Sequence, residues 1–431
     1  MDYDLIIIGA GWAGFNAAQV ARVRGFKVCV IEKAHVGGTC LNSGCIPTKA
    51  LIQSAKVFSL VKKSQNFGVE VLTSSISLSR VQERKSRIVQ QLGAGMQFLL
   101  KGTDFYSAEA ELLSNTEVRS GQDTLKSKYI LLATGSSPIE LPQFKFDGKK
   151  IISSDDILNL KETPRSLLII GGGVIGCEFA SLFSVLGSQV SLVEKMPQLL
   201  PGEDPEIAKK LEINFKKKGI KVTLDTDASA LNLDEFDLVL ICVGRVPCTD
   251  GLGLEKVGVA LEGGRIIVDD YLKTSVPNIY AAGDCTGKVM LAHYAAYQGK
   301  IAAKNIINNA TTQIKADNAI VPNCIFTDPE IASVGLNESN AIAMGIELKI
   351  DKFDFIASGM ARIIDEAEGL IKIISNKSTN EIIGASIIGP RATELISVLT
   401  LAVSARLKTT QIKEMIFAHP TLSEAIGEAI H

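Results

Sequence analysis

Residues 5–32 read LIIIGAGWAGFNAAQVARVRGFKVCVIE. Four apolar residues predict a buried strand, the glycine-rich segment predicts a tight turn, and the alanine-rich stretch predicts a helix before a second strand. In this pattern Gly9, Gly11 and Gly14 let the backbone approach a pyrophosphate, which the helix N-terminus also attracts. Glu32 ends the second strand, where a carboxylate accepts hydrogen bonds from a ribose diol. The stretch therefore predicts a dinucleotide-binding βαβ unit.

The same pattern returns 162 residues later as LLIIGGGVIGCEFASLFSVLGSQVSLVE, residues 167–194. The fingerprint positions of the second copy are Gly171, Gly173, Gly176, Gly187 and Glu194. A single glycine-rich turn can occur in a loop that binds nothing. Two copies that match through strand, helix and terminal acid predict two nucleotide sites in one chain.

The acid of the second copy indicates which nicotinamide cofactor binds there. Glu194 would accept a hydrogen bond from a ribose 2′-OH and repel a 2′-phosphate. Lys195 is the cation adjacent to it in sequence. We therefore expect NAD at this site. NADP remains the alternative, because the adjacent lysine could accept a 2′-phosphate.

Composition and charge exclude several classes of protein. The 431 residues include 45 basic and 47 acidic side chains, a net charge of −2, with 46% hydrophobic and 21% charged residues. These values are typical of a folded protein and argue against a nucleic-acid partner. No apolar stretch approaches 18 residues, so we expect no membrane span. The chain enters a buried-strand pattern at Asp4 with no targeting segment before it, so we expect a bacterial-type cytoplasmic location.

A pair of cysteines follows the first fingerprint, in GGTCLNSGCIPTK at residues 37–49. In a regular helix, residues five apart have Cα atoms roughly 8.6 Å apart, beyond the limit of about 7 Å for a disulfide. A bridge between Cys40 and Cys45 would require a distorted turn, for which Ser43 and Gly44 provide flexibility. Two structural thiols, or more weakly a zinc site, are the alternatives. The position beside a dinucleotide fingerprint and at a helix N-terminus favours a redox-active pair, and we expect no metal ligands.

Six segments together carry a family resemblance. The cysteine motif, the two fingerprints, Ala133–Ser136 with Ala281–Asp284, and the C-terminal segment His419–Glu424 resemble the FAD-dependent disulfide reductases, which belong to the pyridine nucleotide-disulfide oxidoreductases. The resemblance covers nearly the whole chain. It is greatest for the branch that oxidises dihydrolipoamide, and Leu422 supports that branch over the glutathione branch.

The resemblance implies which residues bind the cofactors. FAD is expected at the first fingerprint, with Gly9, Gly11, Gly14 and Glu32, and NAD at the second. Ala110 stands where relatives usually carry glycine, which puts the tightness of FAD binding in doubt. The further expected cofactor contacts are Lys49, Ala110, Thr134, Gly135, Glu178, Gly244, Asp284, Met290, Leu291, Ala292 and His293, in addition to Gly171, Gly173, Gly176 and Glu194.

The resemblance also implies a set of catalytic residues. Cys40 and Cys45 would form the redox disulfide, while His419, oriented by Glu424, would take a proton from a substrate thiol. In the family the His-Glu unit reaches the dithiol from the other subunit, so a homodimer is expected. The expected partners are the lipoyl groups of 2-oxo acid dehydrogenase or glycine cleavage complexes. A related NAD(P)H-dependent disulfide or mercuric reductase, or a non-catalytic complex subunit, is the alternative.

The expected fold is α/β, with two Rossmann-like dinucleotide-binding domains and a C-terminal α+β dimerisation domain. The expected domains are FAD-binding at 1–147 and 262–315, NAD-binding at 148–261, and interface or dimerisation at 316–431. Within the last, residues 320–325, 369–374 and 382–388 predict strands of an antiparallel sheet, with helices following from Ala392.

Overall fold

The computed structural model describes residues 1–308, 312–316 and 320–431. The predicted domain ranges 262–315 and 316–431 include residues 309–311 and 317–319, which lie outside the described residues. The chain divides into two units. The first unit is Met1–Leu51, Arg80–Ile139 and Gly244–Asn318, and the second unit is Ile52–Ser79, Glu140–Val243 and Ala319–His431.

The strands follow one another along the whole chain. In order they are β1 (Tyr3–Ile8), β2 (Val28–Glu32), β3 (Asp104–Ser107), β4 (Ala110–Leu112), β5 (Glu117–Ser120), β6 (Asp123–Leu132), β7 (Ser136–Pro138), β8 (Ile151–Ile152), β9 (Ser166–Ile170), β10 (Gln189–Val193), β11 (Lys221–Thr223), β12 (Leu238–Ile241), β13 (Arg245–Pro247), β14 (Leu261–Glu262), β15 (Arg265–Ile266), β16 (Ile279–Ala281), β17 (Asn323–Ile325), β18 (Glu330–Gly335), β19 (Leu348–Asp354), β20 (Leu370–Asn376) and β21 (Ile382–Gly389).

The α-helices are α1 (Trp12–Val23), α2 (Gly38–Asn42), α3 (Cys45–Lys62), α4 (Leu78–Leu99), α5 (Val174–Leu186), α6 (Pro205–Lys217), α7 (Leu254–Val257), α8 (Ala292–Ile307), α9 (Glu338–Ala343), α10 (Gly359–Ile363), α11 (Ala392–Ser404), α12 (Thr409–Lys413) and α13 (Glu424–Glu428). Across the part of the chain that the structure describes, none of the helices combines the length and the apolar character needed to cross a membrane.

The first unit is built around a parallel sheet in the order β3-β2-β1-β6-β16, and β5 and β4 continue it as antiparallel strands from the other end of β6. The apolar run of β1 lies in the core of this unit, as is usual for a central strand of a parallel sheet, and Ile6 and Ile7 have no exposed surface. The strand order places the carboxyl ends of β1 and β6 side by side, where the first fingerprint turn lies.

The second unit contains two sheets. One is parallel throughout, in the order β11-β10-β9-β12-β8. The glycine-rich turn of the second fingerprint follows β9 in this sheet. The other is antiparallel, in the order β17-β18-β21-β20-β19. The apolar face of α11 packs on this second sheet through buried Leu395, Ile396 and Leu399. The predicted α/β fold, with two Rossmann-like sheets and a C-terminal α+β part, is confirmed.

The C-terminal sheet differs in detail from the sequence prediction. The strand predicted from residue 320 begins only at Asn323, one residue after Pro322, whose ring nitrogen has no N–H to donate to a ladder. The strands predicted at 369–374 and 382–388 are present as β20 and β21, and α11 begins at Ala392 as predicted. Two strands, β18 and β19, were not predicted. The β19 sequence LKIDKFD shows no regular alternation of apolar and polar residues: Lys352 and Asp354 are exposed, whereas Asp351 is buried.

Residues 244–261, which the sequence analysis places in the NAD domain, belong to the first unit in the structure. The Cys248 N–H donates to the Gly135 carbonyl at 3.0 Å, and the Leu112 N–H donates to the Leu252 carbonyl at 2.8 Å. These backbone bonds attach the segment to the sheet that carries the first fingerprint.

A buried lysine lies at the centre of an ion-pair cluster in the second unit. Lys372, on β20, is only 2% exposed. Its Nζ lies 2.8 Å from Asp204 Oδ2, 2.6 Å from Glu338 Oε2 and 3.4 Å from Glu206 Oε2. Asp204 also caps α6, accepting from the Glu206 N–H at 2.9 Å. The ammonium group therefore compensates a carboxylate that has almost no access to water.

We predict that Lys372→Met lowers the free energy of unfolding by about 3–5 kcal/mol, because it leaves the buried Asp204 carboxylate without its counter-charge. Urea unfolding followed by far-UV circular dichroism measures the change. Lys377→Met is the matched control, since Lys377 pairs with Glu347 at 3.6 Å on the surface. That variant should lose less than about 1 kcal/mol. Equal losses in the two variants would contradict the role assigned to Lys372.

Candidate functional site

The two fingerprint turns have the same backbone geometry. Gly9 has φ +102° and Gly171 has φ +112°, both in the region that favours glycine. A Cβ at Gly9 would lie 2.3 Å from the Ala133 carbonyl oxygen, and one at Gly171 would lie 2.5 Å from the Cys242 carbonyl oxygen. In each copy the first glycine thus lets the turn pass against the end of a neighbouring strand.

The third glycine of each copy is required by helix packing. A Cβ at Gly14 would lie 1.9 Å from the Gly9 carbonyl oxygen, and one at Gly176 would lie 1.9 Å from the Gly171 carbonyl oxygen. A backbone oxygen cannot move aside to relieve such a clash, as the end of a flexible side chain can. These two glycines therefore set how closely α1 and α5 approach the strands that precede them.

The second glycine of each copy has a different environment. Gly11 caps α1 and Gly173 caps α5. Among the described residues, a Cβ at Gly173 would meet no heavy atom within 4 Å, and one at Gly11 would meet only the Gly38 Cα at 3.9 Å. The protein itself does not need glycine there. Open space beside the N-terminus of a helix is what a bound pyrophosphate occupies, so both turns fit a dinucleotide.

The terminal acids bind the fingerprint turns directly, which the sequence reading did not predict. Glu32 accepts from the Ala10 N–H at 2.7 Å and from the Ala34 N–H at 2.8 Å. Glu194 accepts from the Gly172 N–H at 2.5 Å and from the Met196 N–H at 2.8 Å. Each carboxylate thereby holds its turn in place at the position where a ribose is expected. The signal was available in the fixed spacing of 22 residues between donor and acid.

Several predicted FAD contacts gather at the carboxyl ends of the first sheet. Thr134 and Gly135 lie in the short connection between β6 and β7, beside the Gly9 turn. Ala110 begins β4, and the nearby Ala108 N–H donates to the Glu32 carbonyl at 3.1 Å. Ala110 therefore follows, by two residues, the point at which the chain passes the end of the strand that carries Glu32.

Asp284 is positioned by a chain of hydrogen bonds. It follows β16, and its Oδ2 accepts from the Ser136 hydroxyl at 2.6 Å. The Ser136 Oγ in turn accepts from the Arg245 Nε at 2.8 Å. Ser136 ends a segment that carries the family resemblance, and Arg245 follows the expected cofactor contact Gly244, but the sequence predicts no place in the site for either residue. They fix the direction of the Asp284 carboxylate.

The remaining predicted cofactor residues lie at element ends. Met290 and Leu291 precede α8, whose first two residues are Ala292 and His293, with Leu291 as the cap. Gly244 has φ +133° between β12 and β13, and its carbonyl accepts from the Ile139 N–H at 3.0 Å.

Glu178 belongs to the second unit. It is buried on α5, and its Oε1 accepts from the Phe326 N–H at 2.9 Å.

The cysteine pair occupies a break between two helices. Cys40 lies in α2, Cys45 is the first residue of α3, and the residues between include the end of one helix and a turn. Asn42 helps to end α2, its side-chain amide donating to the carbonyls of Val36 at 3.0 Å and Gly38 at 2.9 Å. The distorted turn that a bridge between the two cysteines requires is therefore present. In the structure both residues are thiols.

The two thiols interact with each other and with a cation. The hydrogen bond with Cys45, and then burial, raise the pKa of the Cys40 thiol well above its usual range. The positive charge of Lys49, one turn along α3, acts in the opposite direction. The buried indole N–H of Trp12 points to the Cys40 thiol and also lowers its pKa, although the two groups do not meet the geometry of an ordinary hydrogen bond. Trp12 was given no role in the sequence analysis, and its place beside Cys40 is a finding of the structure.

His419 and Glu424 form a contact that matches the predicted acid-base pair. The His419 Nδ1 lies 2.8 Å from Glu424 Oε2, and the Thr421 N–H donates to the other carboxylate oxygen at 3.3 Å. The imidazole is 80% exposed, whereas the carboxylate is 21% exposed. Because Nδ1 is engaged, the tautomer with an available Nε2 is favoured, and that atom can accept a proton from a ligand.

We predict that Gly173→Ala and Gly176→Ala separate ligand binding from folding. Gly173→Ala should change the free energy of unfolding by less than about 1 kcal/mol. It should weaken NAD binding by about tenfold or more, since the methyl group enters the space kept for pyrophosphate. Gly176→Ala should cost about 1–3 kcal/mol or more through its clash with backbone. Urea unfolding and equilibrium dialysis measure the two effects, and equal loss of stability in both variants would refute the assignment.

Comparison with known proteins agrees with this arrangement. The family model "Pyridine nucleotide-disulphide oxidoreductase" matches residues 3–299, and the dimerisation domain of the same family matches residues 321–430. The dihydrolipoyl dehydrogenase of Chlamydia trachomatis is 42% identical, covering 99% of this chain and 96% of that protein. One from Bacillus subtilis is 41% identical, covering 99% and 97%.

Solved structures agree over the same length. LpdA from Mycobacterium tuberculosis superposes with a TM-score of 0.91 at 29% identity, covering 99% of this chain and 98% of that chain. The HOCl-induced flavoprotein disulfide reductase RclA from Escherichia coli gives 0.88 at 28% identity, covering 99% of both chains. With two nucleotide turns, a cysteine pair and a C-terminal domain all matched, the chain belongs to the pyridine nucleotide-disulphide oxidoreductase family.

Proposed function

We propose that the chain oxidises dihydrolipoamide to lipoamide and reduces NAD to NADH, using FAD and a Cys40–Cys45 disulfide. The observation that carries the proposal is the cysteine pair at the break between α2 and α3, beside the first nucleotide turn. Relatives named dihydrolipoyl dehydrogenase, 42% and 41% identical over nearly the full chain, support the substrate.

The first step is an exchange between substrate and disulfide. The Nε2 of His419 takes a proton from one thiol of dihydrolipoamide, and the contact with Glu424 stabilises the imidazolium that forms. The substrate thiolate attacks the Cys40 sulfur, forming a mixed disulfide and releasing Cys45 as a thiolate. Cys45 is the natural leaving group because it begins α3, where the helix N-terminus favours negative charge.

The second step releases the product. The remaining substrate thiol gives up its proton, which passes to the departing Cys40 sulfur, and its own sulfur attacks the substrate sulfur that is bonded to Cys40. The ring of lipoamide closes, and Cys40 departs as a thiol, in keeping with its raised pKa. Two electrons have then passed from the substrate to the cysteine pair. FAD, when bound, supplies the route by which these electrons reach NAD as a hydride.

We further propose a domain division and a set of partners. Residues 1–147 and 262–315, with 244–261 added to them, would bind FAD; residues 148–243 would bind NAD; and residues 316–431 would form a homodimer interface. The match of residues 321–430 to a dimerisation domain supports the last assignment. Lipoyl groups of 2-oxo acid dehydrogenase or glycine cleavage complexes, in a bacterial cytoplasm, are the proposed substrates and setting.

We predict that Cys45→Ser and His419→Gln each lower turnover of dihydrolipoamide at least about 100-fold. Absorbance of NADH at 340 nm measures turnover by the FAD-loaded protein. Cys324→Ser is the control, since Cys324 lies on β17 and donates weakly to the Thr393 carbonyl at 3.7 Å. Full activity in Cys45→Ser would refute the dithiol mechanism. Reduction of a disulfide by NADPH, without NAD reduction by dihydrolipoamide, would favour the alternative of an NAD(P)H-dependent disulfide reductase.

We predict that the two inactive variants complement each other when they are co-expressed. A heterodimer of Cys45→Ser and His419→Gln holds one site with both native residues only if each site takes its cysteines from one subunit and its histidine from the other. Isolated heterodimers, carrying two different affinity tags, should then recover about half of the native turnover per dimer. Inactive heterodimers that still bind FAD would show that each subunit completes its own site.

A further inference from the structure

A short connection is held beside the acid of the second fingerprint. The chain leaves β11 at Thr223, and the Thr226 N–H donates to the Glu194 carbonyl at 3.1 Å. The Asp225 N–H donates to the Met196 carbonyl at 3.2 Å. These two bonds fix residues 225–227 next to residues 194–196.

One acidic side chain of this connection faces the lysine that follows Glu194. The Oδ2 of Asp227 lies 3.5 Å from the Lys195 Nζ. Its Oδ1 accepts from the Ser229 N–H at 2.9 Å, which caps a short 3-10 turn and orients the carboxylate. The hydrogen bonds from Ser229, and then the charge of Lys195, lower the pKa of Asp227, so it is ionised at neutral pH.

The first fingerprint has the same arrangement. Lys33 follows Glu32 as Lys195 follows Glu194, and its Nζ lies 3.9 Å from Glu109 Oε1. Ala108, the residue before that acid, donates to the Glu32 carbonyl at 3.1 Å, as Thr226 does to the Glu194 carbonyl. FAD has no 2′-phosphate. The pair of Lys33 and Glu109 therefore lies at a site whose expected ligand, FAD, has an adenosine ribose without a 2′-phosphate.

The charges at the second site can be compared with those of a phosphorylated ribose. A 2′-phosphate carries nearly two negative charges and is usually accepted by a cation close to the end of this strand. Lys195 directly follows Glu194 after β10, where such a cation is expected. The carboxylate of Asp227 offsets its charge, while Glu194, buried and held by two N–H groups, cannot turn away.

We propose that Asp227 is a specificity-determining residue that makes the second site reject NADP by neutralising Lys195. The inference rests on the proposed placement of the NAD adenosine ribose at Glu194. It predicts that discrimination against the 2′-phosphate depends on the pair Lys195–Asp227 as well as on Glu194.

The test measures binding of two nucleotide fragments to the FAD-loaded protein by calorimetry at low ionic strength. The probes are 5′-AMP and 2′,5′-ADP, which differ only by the 2′-phosphate. Asp227→Asn removes the charge but keeps an acceptor for the Ser229 N–H. It should raise the affinity for 2′,5′-ADP relative to 5′-AMP by about three- to tenfold, and added salt should reduce the gain. The ratio of kcat/KM for NADP over NAD should rise in parallel.

Two further variants identify the cause. The double variant Lys195→Met/Asp227→Asn should return the affinity ratio to near the native value, because the gain requires an unpaired lysine. Asp234→Asn removes a carboxylate from the same connection, one that pairs with Lys150 at 3.3 Å. It should leave the ratio unchanged.

The outcomes separate this inference from the proposed function. An affinity ratio in Asp227→Asn no higher than in Asp234→Asn, or a gain that persists in the double variant, would overturn the role of Asp227 while leaving the nucleotide site intact. Failure of native protein to bind 5′-AMP would instead refute the placement of the nucleotide at Glu194, and the inference with it.

Discussion

At each nucleotide turn, a backbone carbonyl oxygen lies where a side chain would have to be. Cβ atoms at Gly9 and Gly171 would lie 2.3 Å and 2.5 Å from carbonyl oxygens of the neighbouring strand. This close approach brings the turn against the carboxyl ends of two parallel strands, where ligands of open α/β sheets bind. Residues that follow those strands, such as Thr134, are thereby held beside the turn. Much of the proposed site depends on this one steric constraint, because it packs the turn and the helix N-terminus against the strand ends.

The terminal acids add an electrostatic constraint to the steric one. Glu32 and Glu194 each use both oxygens on backbone N–H groups, so neither needs a ligand to be satisfied. A carboxylate oxygen has more than one lone pair, however, and can accept a ribose hydroxyl in addition. The acids therefore contribute to the apo fold and to the nucleotide site with the same atoms. Their replacement would alter both, which is why the glycine variants separate the two properties more cleanly.

Sequence reasoning predicted the parts of the fold whose signal is local. The strand-turn-helix pattern of both fingerprints, the break between Cys40 and Cys45, and α11 from Ala392 are each encoded by a short run of residues. The predictions were less complete where the cause is tertiary. The edge strand β19 buries a charged residue, Asp351, which pairs with Lys349, so its sequence lacks the regular alternation typical of a strand. Residues 244–261 join the first unit through backbone hydrogen bonds, which leave no pattern in the side chains. The Asp284–Ser136–Arg245 chain joins residues far apart in sequence. Spacing alone cannot bring them together.

A lysine pairs with an acid beside both fingerprints. The two copies thus have the same arrangement in space, although the two acids do not occupy corresponding positions in the sequence repeat. Lys33 and Lys195 keep the offset of the repeat, whereas Glu109 and Asp227 do not, because the cysteine segment and two long helices precede Glu109 in the first copy. What the two copies share is the backbone bond to the carbonyl of the terminal acid, which places the next residue opposite the lysine. An exposed ion pair of this kind contributes little to stability, about 0–1 kcal/mol. The pair therefore adds little to the fold and mainly changes the charge that a ligand of the site would meet.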